Sequence, residues 1–92
     1  MENEMTTKES QDAGNSLSDE IYDWAKKRVG EDSACTVMLQ IRGLARKAAK
    51  VKGMGSHPYV TQEEFKDTRE AVQDFMELFD SIRYRAEHKK EG

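Results

Sequence analysis

Apolar residues recur along most of the chain at three- and four-residue steps, the period of an α-helix with one buried face. Leu17, Ile21, Trp24, Ala25 and Val29 predict a first helix over 16–29. Asn15, Ser16 and Ser18 are candidate N-caps, and Asp19 and Glu20 suit the positive end of the helix dipole. Lys26, Lys27 and Arg28 suit the negative end, and Gly30 supplies a stop. Ala34, Val37, Ile41, Leu44, Ala48 and Val51 form a seam that predicts a second helix over 33–52, broadened by Met38 and Ala45 and closed by Gly53. Gly43 lies inside this helix at a cost of about 1 kcal/mol relative to Ala.

Gly53, Gly55 and the only proline mark residues 54–60 as a loop, after which Thr61 and Glu64 have the spacing of a capping box. Phe65, Thr68, Val72, Phe75, Phe79, Ile82 and Ala86 then predict a long third helix over 62–88, its face widened by Ala71 and Leu78. Residues 1–15 contain no Ile, Leu, Val, Phe, Tyr or Trp, so little apolar surface offsets the entropy of ordering them, and a disordered tail is predicted. The expected fold is all-α: one domain over 16–92, a three-helix antiparallel bundle with a short first helix and a long, overhanging C-terminal helix. An overhanging apolar seam needs cover, which makes a homodimer through helix three an expectation.

Composition sharpens this picture mainly by exclusion. Across 92 residues, 36% are hydrophobic and 36% charged, enough for one modest core. No apolar run approaches the ~20 residues of a membrane span, the first ten residues do not resemble a secretory leader, and Cys35 has no second cysteine to pair with. A cytoplasmic protein that does not enter a membrane is the expectation. The net charge is −3, and only residues 31–60 are net positive, with five bases against two acids.

Two charged stripes follow the helical period. On helix three, Glu63, Asp67, Glu70, Asp74 and Glu77 align beside the apolar seam, as an ordinary solvated face or a surface for a basic partner. Within it, Glu63-Glu64-x-x-Asp67 and Glu77-x-x-Asp80 resemble the two halves of the acidic signature of all-α nucleotide pyrophosphohydrolases. In that family the halves come from facing helices, whereas here both lie on one helix and cannot converge on one magnesium ion. On helix two, Arg42, Arg46 and Lys50 make a basic ridge that carries an apolar residue, Leu39. A leucine among arginines has the composition of a protein-docking patch. Tyr84, between Arg83 and Arg85, points away from the helix-three seam and is a further contact candidate.

Cys35 reads as a small, semi-buried side chain, and His57 and His88 as solvent-facing or capping residues, none with metal-ligand spacing. Gly53-Met54-Gly55 has neither the preceding strand nor the Lys-Ser/Thr of a phosphate loop. No catalytic residue, cofactor site or metal site is therefore assigned. The expected function is stoichiometric binding of another protein, as an adaptor, regulator or inhibitor of a larger machine, in the manner of small phage- or plasmid-type accessory proteins. The residues expected to bind are Leu39, Arg42, Arg46, Lys50, Glu63, Asp67, Glu70, Asp74, Glu77 and Tyr84. The alternative is a dimeric nucleic-acid-binding module using the basic ridge and Lys26-Lys27-Arg28, ranked lower because the chain is net acidic.

Overall fold

The computed structural model describes residues 4–89, which form three helices: α1 (Thr7–Val29), α2 (Glu31–Ala48) and α3 (Gln62–Lys89). No described helix is long and apolar enough to cross a membrane. Residues 1–3 of the expected tail and 90–92 of the expected domain lie outside the described residues.

The largest correction concerns the start of α1. The helix begins nine residues before the expected 16, so 7–15 are helical rather than disordered. Thr6 accepts a hydrogen bond from the Glu9 backbone N–H at 3.1 Å, and the Glu9 carboxylate accepts one from the Thr6 backbone N–H at 2.9 Å. Together they close a capping box. This early half has few large apolar residues yet buries Met5 and Ser10. Ser10 meets Tyr59 in the α2–α3 loop, fully buried, whose backbone N–H donates to Ser10 Oγ at 2.7 Å. Met5 N–H also donates to Val60 O at 2.9 Å, and Gln11 Nε2 to Ser56 O at 2.8 Å. The start of α1 is therefore ordered by the loop it straps down, not by a seam of its own.

The core forms where Leu17 and Ile21 of α1, Ile41 and Ala45 of α2 and Val72 of α3 meet. On α2 the buried line is Ala34, Ile41 and Ala45, while Leu44 and Ala48, expected in the seam, are exposed. The helix also ends earlier than residue 52. Lys50 turns the chain at φ 56°, its N–H donating to Lys47 O and that of Val51 to Arg46 O, each at 3.1 Å. These are the two bonds of a Schellman motif, with a lysine where glycine is usual. Gly53 serves the loop instead: a Cβ there would lie 2.3 Å from Pro58 O. Gly30 joins α1 to α2 at φ 84°, a conformation that favours glycine.

At the start of α3, Thr61 Oγ1 accepts from Glu64 N–H at 3.1 Å, as the cap spacing predicts. The reciprocal half differs. Glu64 Oε1 accepts from Val60 N–H at 2.8 Å and Oε2 from Lys52 N–H at 3.0 Å, tying the loop to the helix instead of closing on Thr61. The nine residues that α1 gains lie at its N-terminal end against the α2–α3 loop, so the C-terminal end of α3 still projects, with residues 81–87 all exposed. Glu20 meets Arg69, Arg28 meets Asp80, and Arg83 reaches back to Arg28 O, so the end of α1 lies beside residues 80–83 of α3.

Candidate functional site

Two polar constructions set the electrostatics of the surface. The first is a knot at the far end of α1. Arg28 donates from Nε and Nη2 to both carboxylate oxygens of Asp80, at 2.6 and 3.0 Å, and from Nη1 to Trp24 O at 3.0 Å. Its guanidinium stacks 4.5 Å from the Trp24 ring centroid, and Trp24 meets Phe79 edge-on at 5.2 Å. The hydrogen bonds from Arg28 hold the Asp80 carboxyl below its ordinary pKa. Glu9 is lowered too, chiefly by the backbone N–H of Thr6. Arg28 is thus committed inside the fold, not displayed beside Lys26 and Lys27, which are exposed. Asp80, one residue of the second half of the acidic signature on α3, is bound to a guanidinium. Among the described residues no group of three or more His, Cys, Asp or Glu side chains is arranged to hold a metal ion.

The second is a cleft of about 590 Å³ between α1, α2 and the α2–α3 loop. Gln11, Gly14 and Asn15 line it from α1, Leu39, Arg42, Gly43 and Arg46 from α2, and Gly55, Ser56, Pro58 and Tyr59 from the loop. Among the described residues that line it, only the two arginines are charged. Arg42 donates one of its five N–H groups to Ser18 Oγ at 2.9 Å. Arg46 donates to Pro58 O at 2.9 Å and Gly53 O at 2.7 Å and lies 5.1 Å from the Tyr59 ring centroid, so its first task is to hold the loop. Leu39 is 47% exposed at the same cleft.

The expected binding residues are thus distributed over separate surfaces. Leu39, Arg42 and Arg46 come together at the cleft, whereas Lys50 lies beyond the end of α2 and does not extend their ridge. Glu63, Asp67, Glu70, Asp74 and Glu77 are all exposed on α3, and none lines the cleft. Tyr84, 61% exposed, borders a shallow groove with Lys27, Arg28 and Asp80. Cys35, expected to be semi-buried, is exposed. His57 pairs its Nδ1 with Thr7 Oγ1 at 3.2 Å, so it joins loop to helix, while the expectation for His88 falls on a side chain outside the described ones.

Sequence reasoning missed Tyr59, Ser10 and the glycines that open the cleft. Two signals were available. Thr6-x-x-Glu9 has capping-box spacing, and a tyrosine and a valine inside a Gly/Pro loop need somewhere to be buried. No family model, curated protein or solved structure matches the chain.

Proposed function

We propose that the protein acts by stoichiometric binding of another protein, as an adaptor, regulator or inhibitor, with the α1–α2–loop cleft as its docking site. The observation that carries this reading is Leu39, nearly half exposed, standing at a cleft whose charged lining among the described residues is Arg42 and Arg46. The partner segment that fits is acidic and carries an apolar side chain: the apolar group covers Leu39, and a carboxylate meets the guanidinium of Arg42. The reading takes the three helices as an antiparallel bundle. Ser18 and Arg42, which bond at 2.9 Å and are equidistant in sequence from Gly30, support that arrangement.

Gly43 lends further support. It lines the cleft inside a helix, and a Cβ there would meet nothing within 4 Å, so the fold itself has no steric need for glycine. Gly43→Ala is expected to stabilise the protein by about 1 kcal/mol while weakening docking, because the methyl group fills cleft space that the partner would use.

The test begins by capturing the partner on the full chain, with and without nuclease, and then titrating it against variants. Leu39→Asp is expected to weaken binding at least tenfold with helical content and melting temperature unchanged, and Arg42→Glu to weaken it likewise, with a smaller salt dependence than the parent and some loss of stability from the broken Ser18 bond. Retention of the partner by Leu39→Asp overturns the reading. Capture that disappears with nuclease and falls steeply with salt establishes the nucleic-acid alternative instead.

A further inference from the structure

Helix α3 carries an apolar stripe whose first half, Ala71 and Phe75, packs against the core and whose second half, Leu78 and Ile82, the fold leaves exposed. Ala71, Phe75, Leu78 and Ile82 follow a 4-3-4 spacing, the step of a helix seam, one flank away from the line through Thr68 and Val72 that packs into the core. Leu78 is 52% and Ile82 55% exposed, while Phe75 and Ala71 are half-buried. Beside the exposed half of the stripe, the end of α1 meets α3 on another flank, at Asp80 and at Arg83. Those contacts lie on other positions of the helix. On α2, Leu44 is 52% exposed and lies on the flank opposite the one Arg42 uses to reach α1.

The charges around the stripe are complementary to those of an inverted copy of itself. Asp74 lies one position before Phe75, on the outer edge, and Arg85 occupies the next seam position after Ile82. In a two-fold symmetric pair, whatever residue i of one chain touches in the other, the reverse contact forms as well. An axis crossing α3 near Phe79 and Asp80 sets Leu78 against the second copy's Ile82. The same axis brings Arg85 beside the second copy's Phe75 and Asp74. Both charge pairs form at once, at the two ends of an apolar centre. A parallel arrangement would set Asp74 beside Asp74 and Arg85 beside Arg85.

We infer that this face of α3 is a homodimer interface: two copies pack their α3 helices antiparallel along Phe75, Leu78 and Ile82, with reciprocal Asp74–Arg85 ion pairs fixing the register. The cleft is lined from α1, α2 and the α2–α3 loop and by no described residue of α3, so a dimer through α3 leaves it open, and the interface stands or falls independently of the docking site.

The experiment is sedimentation equilibrium of the full chain and its variants, with circular dichroism as the control for folding. The parent is expected to dimerise. Leu78→Glu and Ile82→Glu are each expected to give monomers of unchanged helicity, since both side chains are already half-exposed and a folded monomer accepts the change. Asp74→Arg and Arg85→Asp are each expected to weaken the dimer roughly tenfold, because two pairs are lost in every dimer. The double variant Asp74→Arg with Arg85→Asp restores both pairs in reversed sense and is expected to recover affinity to within about threefold of the parent. A parent that stays monomeric at submillimolar concentration overturns the inference. So does a dimer that survives Leu78→Glu and Ile82→Glu, or a double variant no tighter than its single parents.

Discussion

Lys50 ends α2 in a conformation that an L-residue occupies at a cost of roughly 1–2 kcal/mol, because its Cβ crowds the carbonyl oxygen. Both bonds of the Schellman turn are nonetheless made, so the surroundings hold a conformation that the residue itself disfavours. Its side chain is exposed, and no described hydrogen bond or ion pair depends on its ammonium group. Lys50→Gly is therefore expected to raise stability by about 1 kcal/mol, the relief of strain being offset in part by the extra freedom of glycine in the unfolded chain. Urea unfolding at constant slope is the measurement. A destabilised variant would mean that the turn is held open by contacts of the lysine. The same residue shows where local pattern is a poor guide. Gly53 looks like the stop in sequence, yet the chain turns three residues earlier, because the close approach of Gly53 to Pro58 O makes that glycine necessary elsewhere. Nothing in hydrophobic spacing distinguishes a glycine that ends a helix from one that lets two strands of backbone touch.

Among the elements, the joint between α1 and α3 depends on a carboxylate and is therefore sensitive to acid. Asp80 has its pKa depressed below 3.8, chiefly by its hydrogen bonds to Arg28. A carboxyl whose folded pKa lies below its unfolded value contributes stability above the unfolded pKa and loses it as pH falls through the folded one. The Arg28–Asp80 contribution is thus present at neutral pH and lost below about pH 4, and Glu9 at the α1 cap changes in the same direction. Asp80→Asn is expected to lower stability at neutral pH and to flatten its decline on acidification. Thermal melts of parent and variant across the acid range read both effects, and parallel curves would show that Asp80 is not the group responsible. Arg28 and Asp80 are 52 residues apart in sequence, and no periodicity connects them. By contrast, the helices whose faces carry large apolar residues were legible: α2 and α3 start within two residues of where their patterns place them. The first half of α1 was not, because what orders it is a remote loop. Of the candidate site, exposed Leu39 beside Arg42 was legible from helical angle alone, whereas the cleft before it required knowing that α1 begins at Thr7 and that Tyr59 folds beneath it.

At the scale of the whole molecule, the order of residues 4–15 decides whether the loop has a fixed shape. Met5 and Ser10 are buried against the segment that contains Tyr59, and Gln11 and Thr7 bind the same loop at Ser56 and His57. Removing residues 1–15 would expose Tyr59, whose burial, with that of Met5, is worth about 1.5–3 kcal/mol per side chain. It would also leave the backbone N–H of Tyr59 without Ser10, at a cost of roughly 1 kcal/mol. Losses of this size are a large share of the ~5–15 kcal/mol that holds a small domain together. The truncated chain is therefore expected to melt far below the parent and to lose near-ultraviolet ellipticity from its tyrosines. Full-length Ser10→Ala provides a milder test, with an expected loss of about 1–3 kcal/mol because it leaves the same buried N–H unpaired. If both proteins match the parent in urea, the first half of α1 contributes no packing energy, and the cleft has no fixed wall on that side. If both lose stability in the order expected, a stretch of chain with the composition of a disordered tail forms one wall of the cleft proposed for docking. Partner binding should then weaken in Ser10→Ala, although Ser10 is buried and touches no partner, because what it positions is the loop that lines the cleft.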